Sequence, residues 1–147
     1  NAAALSRALA EKAAYARETG SEMWIVTQFV FEASPFLRWS EALQAAGVAL
    51  PIRCGLPGPA KMHTLLAYAL QCGVGTSARV LARRPDAARM LTRWSPDALV
   101  DDLAAHEAAT PASAVAGLHL FPFGGLDAAL DWRARNLAAS HAPGDAS

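Results

Sequence analysis

Apolar positions fall into two regimes along the chain, one spaced for helices and one nearly continuous. Leu5, Ala8, Leu9 and Ala13 recur at helical spacing in an alanine-rich stretch over residues 2–16, and Gly20 stands where such a helix stops. Residues 23–31, Met-Trp-Ile-Val-Thr-Gln-Phe-Val-Phe, are rich in β-branched and aromatic side chains. That near-continuous apolar run predicts a parallel strand covered on both faces. Ser34 as cap and Pro35 at the first position predict a second helix, with Phe36, Leu37, Leu43 and Ala46 as its buried stripe and Gly47 at its end. A short strand over 51–54 follows, closed by the Gly/Pro turn at 55–59. Helices are predicted over 60–71, 76–83 and 96–107, a loop over 108–113, a third strand over 117–123 and a last helix over 126–137. Residues 141–147 carry no apolar period and read as a frayed tail.

The order helix, strand, helix, strand, helices, strand, helix argues for right-handed parallel βαβ units. The expected class is therefore α/β. Three strands do not close a barrel, which takes eight, and a three-stranded doubly wound sheet is the competing arrangement. The alanine-rich start reads as a segment cut from something longer.

Composition narrows the function classes. Hydrophobic residues make up 53% of the 147 positions, enough for a packed core. Thirteen basic and thirteen acidic residues balance to +0, so no broad field draws in nucleic acid or anionic lipid. The one dense basic group, Arg79 to Arg93, reads as a solvated helical face. The longest apolar run is far too short to span a bilayer. Cys54 and Cys72 lack a short paired spacing and no secretory signal precedes them, so a reduced, cytoplasmic setting without a disulfide is expected.

In either parallel architecture ligands lie at the carboxyl ends of the strands. This selects Thr27, Gln28 and Glu32, the loop from Gly55 to Lys61, and residues 121–125. Gln28 is a primary amide in an apolar strand, costly to bury unless its carbonyl and NH2 are both matched. It suits either a heterocycle edge or neighbouring backbone. Lys61 and His63 open a helix, where free N–H groups attract anions, although basic residues on an exposed first turn are more often just solvated. Gly73-Val-Gly75-Thr-Ser77 follows a helix, so a helix–helix turn is expected rather than a dinucleotide fingerprint. His119 mid-strand reads as a hydrogen-bonded core or wall residue. Gly124-Gly125 forms either a tight turn or a close backbone approach to a ligand phosphate. The four histidines are isolated from one another, which gives no metal constellation, and no G-x-S-x-G elbow is present.

Ile25-Val-Thr-Gln-Phe-Val-Phe-Glu32 resembles the strand motif of methylenetetrahydrofolate reductases. The likeness continues through Phe36-Leu-Arg-Trp39, Ala46-Gly47, Pro51-Ile-Arg-Cys-Gly55 and Gly117-Leu-His-Leu-Phe121. It implies a partial (β/α)8 TIM barrel, about the last three βα units, over residues 1–138, with 139–147 as a flexible tail. It further implies flavin-dependent reduction of 5,10-methylenetetrahydrofolate to 5-methyltetrahydrofolate, with FAD as cofactor and NAD(P)H as donor. By resemblance Gln28 and Tyr68 bind the folate, Lys12 or Arg17 holds the flavin phosphates, and Gly124 lies at the cofactor. The catalytic acid belongs to the first half of the barrel, outside this chain. The partners implied are the missing half or a second chain, or further copies of the same chain. The family's Leu-Asn-Arg after the last strand is here Phe123-Gly124-Gly125, so a substrate-contacting arginine is replaced.

Overall fold

The computed structural model describes residues 2–73 and 93–140, and within them the chain is a mixed α/β structure built on a parallel three-stranded sheet. Helix α1 (Ala2–Thr19) leads into strand β1 (Ile25–Phe29), helix α2 (Ala33–Ala45) and strand β2 (Ile52–Pro57). A two-residue strand β3 (Ala60–Lys61) and helix α3 (Met62–Gln71) follow. After the undescribed stretch come β4 (Arg93–Trp94), helix α4 (Asp97–Ala109), strand β5 (Val115–Phe121) and helix α5 (Leu126–Ser140). The helix expected over 76–83 lies outside the described residues, as do the tail 141–147 and the arginine group from Arg79 to Arg89.

The sheet order is β1–β2–β5, every pair parallel, without a reversal of direction. Right-handed crossovers that advance in one direction deposit their helices on one face. The core reports that outcome. Ile52, Cys54 and Leu56, all 0% exposed, pack in one cluster with Leu9 of α1, Phe36 and Leu43 of α2, Leu99 and Leu103 of α4, and Trp132 of α5. Each fully buried aliphatic side chain in it is worth about 1.5–3 kcal/mol. The alternate residues of the same strands, Arg53 on β2 and His119 on β5, stand exposed on the opposite face.

Coverage on both faces, expected from the apolar run at β1, is therefore corrected. Val26 and Gln28 are exposed, and the strand is half-covered because α1, α2, α4 and α5 pack on the other face of the sheet. The helix α2 cap is also corrected. Its N-cap is Glu32, without a side-chain cap bond, and Ser34 Oγ instead accepts from Arg38 Nη1 at 2.8 Å. Residues 55–57 continue β2 rather than turning, because the ladder with β5 runs on through Gly55↔His119 to Pro57↔Phe121. A small antiparallel pair, Ala60↔Trp94 and Lys61↔Arg93, takes the first two residues expected to belong to α3.

Further ties hold the helices in place. Trp132 Nε1 donates to Asp97 Oδ1 at 2.6 Å, which fixes α5 to the start of α4. Gln44 Nε2 donates to the carbonyl of Ala112 at 3.0 Å, and His106 lies 4.0 Å from Glu41 between α4 and α2. Both cysteines are free, Cys54 buried and Cys72 exposed. Among the described residues no helix is long and apolar enough to cross a membrane.

Candidate functional site

At the carboxyl end of the sheet the aromatic residues gather into a second cluster, distinct from the helix-side core. Phe29, Phe31, Ala60, Leu65 and Ala69 form its buried part, with Trp94, Phe121 and Phe123 packed against it. Strand β1 reaches it through a change of phase. Val26 pairs with Arg53 and Phe29 with Gly55, so three steps on β1 match two on β2. The extra residue is a bulge, and it turns Phe29 to the same face as Val26. At the bulge the Gly55 N–H donates to Thr27 Oγ1 at 2.9 Å. A Cβ on Gly55 would lie 2.6 Å from the Thr27 carbonyl oxygen and 2.7 Å from that of Gln28, so only glycine lets the two strands approach.

From there the rings run as a ladder along the rim of the open face. Phe29 meets Phe123 edge-on at 4.7 Å, and Phe123 stacks on Tyr68 at 4.6 Å with 26° between planes. Phe121 lies parallel to Phe123 at 5.8 Å and takes His119 edge-on at 4.7 Å. Tyr68 is 40% exposed, which leaves it open to solvent beside the ladder. Gln28 stands next to Phe29 and is exposed. Its Oε1 accepts from the Phe29 N–H at 3.2 Å, while its NH2 has no protein partner among the described residues. The burial cost expected for this amide does not arise, and one half of it is available to a ligand edge. Flat rings of this kind, an imidazole and a spare amide donor suit a planar heteroaromatic ligand.

The structure thus brings Gln28 and Tyr68 to one region, joined through Phe29 and Phe123. It separates Lys12 from Arg17. Lys12 lines a groove along the free edge of β1, shared with Leu5, Leu9, Trp24 and Gln28, whereas Arg17 is exposed and does not line it. Gly124 has a packing role. A Cβ there would run into the Pro59 carbonyl oxygen and lie 3.0 Å from Ala60 Cα, so this glycine lets the loop after β5 close on β3. Lys61 and His63 are exposed at the start of α3. Glu32 points elsewhere, lining a cavity of about 330 Å3 with Trp94, Ser95 and Asp102. Of the turn from Gly73 to Ser77, residues 74–77 lie outside the described residues. Burial pushes the Cys54 thiol up to about 12, so at neutral pH it packs as an uncharged side chain. Among the described residues no group of three or more His, Cys, Asp or Glu could hold a metal ion.

The sequence places residues 121–125 at a candidate ligand site but assigns no role to the rings of Phe121 and Phe123, and Phe29 is not among the selected positions. The signal was present as Phe-Pro-Phe at 121–123, whose two rings flank a proline, but their convergence on Phe29 depends on the β1 bulge. Arg53 likewise receives no role there, and its guanidinium sits 4.9 Å from the Trp24 ring centroid at the amino end of the open face. No family model matches the chain.

Proposed function

We propose that this chain is the substrate-side segment of a flavin-dependent one-carbon reductase of the methylenetetrahydrofolate reductase kind, active within a complete (β/α)8 barrel. The observation that carries the reading is the meeting of Gln28, with a spare amide donor, and the Tyr68–Phe123–Phe29 ladder at the carboxyl rim. The one-directional β1–β2–β5 order, with core helices on one face, also supports a barrel segment over a doubly wound sheet.

The residues present fit part of what such a site requires. Gln28 can donate to a pterin carbonyl, and the ladder offers faces for the ring. Arg17, exposed on α1, is the candidate for a flavin phosphate, since Lys12 is turned into the β1 groove. Gly124 does not serve as a phosphate cradle, because the Pro59–Ala60 backbone occupies the space a side chain would take. Bound FAD would supply the hydride chemistry between NAD(P)H and the folate. This chain's own part is to orient the pterin and shield it from water.

The test is the visible spectrum of the complete purified protein, titrated with reduced nicotinamide and then with methylenetetrahydrofolate. A flavin band that bleaches with the donor and returns with the folate is expected. Gln28→Ala should weaken the folate response by up to about tenfold, the scale of one lost charge-neutral hydrogen bond, and leave flavin content unchanged. An unchanged folate response would remove the pterin assignment. A second reading, an assembly module without its own catalysis, is favoured by the two sheet edges that no strand among the described residues pairs with. The absence of any flavin band would select it.

A further inference from the structure

The hydrogen-bonded state expected for His119 is not found among the described residues. His119 is exposed on the face opposite the helices, and neither ring nitrogen has a hydrogen-bond partner there. Its ring is held all the same. It meets Phe121 edge-on at 4.7 Å, and Phe121 in turn lies parallel to Phe123. This packing steadies the plane of the imidazole and leaves its nitrogens unengaged, one able to donate and the other to accept when the ring is uncharged.

The strand register sets His119 close to Gln28. His119 pairs with Gly55, and the bulge in β1 lays the backbone of Gln28 against that same glycine, its carbonyl oxygen 2.7 Å from where a Cβ would stand. No side chain of β2 rises between them, so Gln28 and His119 flank one bare position. Toward the amino end of β5, Gly117 leaves open space, since a Cβ there would meet nothing within 4 Å. The spare Gln28 NH2 and the two imidazole nitrogens thus stand beside one aromatic ladder. Strands β1, β2 and β5 carry no carboxylate to receive them, reading Ile-Val-Thr-Gln-Phe, Ile-Arg-Cys-Gly-Leu-Pro and Val-Ala-Gly-Leu-His-Leu-Phe.

In the complete barrel of the reading above, this face lines the interior, where polar nitrogens cut off from water must be matched. We infer that His119 is a second substrate-binding residue, which hydrogen-bonds the edge of the same heteroaromatic ring that Gln28 holds. The two residues stand on different strands, so the substrate class is a flat fused heterocycle with polar atoms at two separate points of its edge. The inference rests on the ring-binding part of that reading and is independent of its flavin.

Titration calorimetry of the complete purified protein with 5-methyltetrahydrofolate tests it, because binding of this probe needs no turnover. His119→Phe keeps a flat ring against Phe121 and removes only the nitrogens. It should weaken binding between about twofold and tenfold, the range for one lost neutral hydrogen bond, with flavin content and melting temperature unchanged. His119→Gln or His119→Asn, which return an amide, should recover part of the loss. A His119→Phe protein that binds as tightly as the unaltered one would overturn the inference. So would a loss that neither amide variant reduces. A lowered melting temperature with unaltered affinity would overturn it too, by assigning the imidazole to a partner in the missing strands. Folate binding without a flavin band leaves it standing and removes only the reductase reading, whereas no folate binding by the unaltered protein overturns both.

Discussion

The two faces of the β1–β2–β5 sheet are made from alternating residues of the same strands, and they are governed by different physics. On the helix side Ile52, Cys54 and Leu56 are 0% exposed and meet four helices. On the other side Arg53 and His119 are exposed, and order depends on aromatic contacts, most of them gathered at the carboxyl rim with Arg53 over Trp24 at the amino end. The difference teaches that stability is drawn from one side of the layer, while the proposed recognition site occupies the other. Substitutions should therefore sort by face rather than by strand.

The largest expected effect tests that sorting directly. Leu56→Ala should cost about 2–5 kcal/mol, while Arg53→Ala, three residues earlier on the open face, should stay within about 1 kcal/mol, the scale of its contact with Trp24. Urea denaturation of both variants compares them, and equal losses would break the distinction. A smaller effect marks its exception. Gly55 lies on the open face, yet Gly55→Ala places a methyl against the backbone of Thr27 and Gln28. About 1–3 kcal/mol of overpacking is expected, together with a shift of the Phe29 ring visible by NMR.

The smallest effect is confined to acid. Asp97 accepts from Ser95 Oγ and Trp132 Nε1, both at 2.6 Å. The Ser95 bond, assisted by Trp132, Asn136 and the charge of Arg135, holds its carboxyl below the ordinary value against some desolvation. Its contribution is then complete above the usual aspartate pKa of about 3.9 and is lost as pH falls through the lowered value. Thermal melts between neutral pH and pH 5 should be insensitive to this group. The comparison below pH 4 should show Asp97→Asn flattening the acid limb of the curve.

Much of the fold is legible because its elements carry long periods. The three main strands, α1, α2, α4 and α5 all follow from apolar spacing, since each buries a face at least one turn or four residues long. The parts that were not legible depend on partners remote in sequence. The β3–β4 pair is two residues on each side, too short for any period, and exists because Ala60 meets Trp94. Ser34 had the chemistry of a cap, but Arg38 one turn later holds its hydroxyl. Gly55 has the composition of a turn and is instead a point of contact between strands, which becomes visible only beside the Thr27 backbone. At the rim, Gln28 and Tyr68 could be selected from motif position. Phe123 falls in the selected strand-end stretch, but its stacking partner was not legible, because nothing local announces that a residue after β5 will meet a ring from α3.

The bulge in β1 has one more consequence. Ile25 packs with the helix-side core and Phe29 belongs to the aromatic cluster, so five residues of a single strand are shared by two otherwise separate assemblies. Whatever steadies the rings at the rim also removes freedom from the strand that threads the core. Occupancy at one end would be felt as resistance to opening at the other, and the melting temperature of the core would serve as a gauge of what the rim holds.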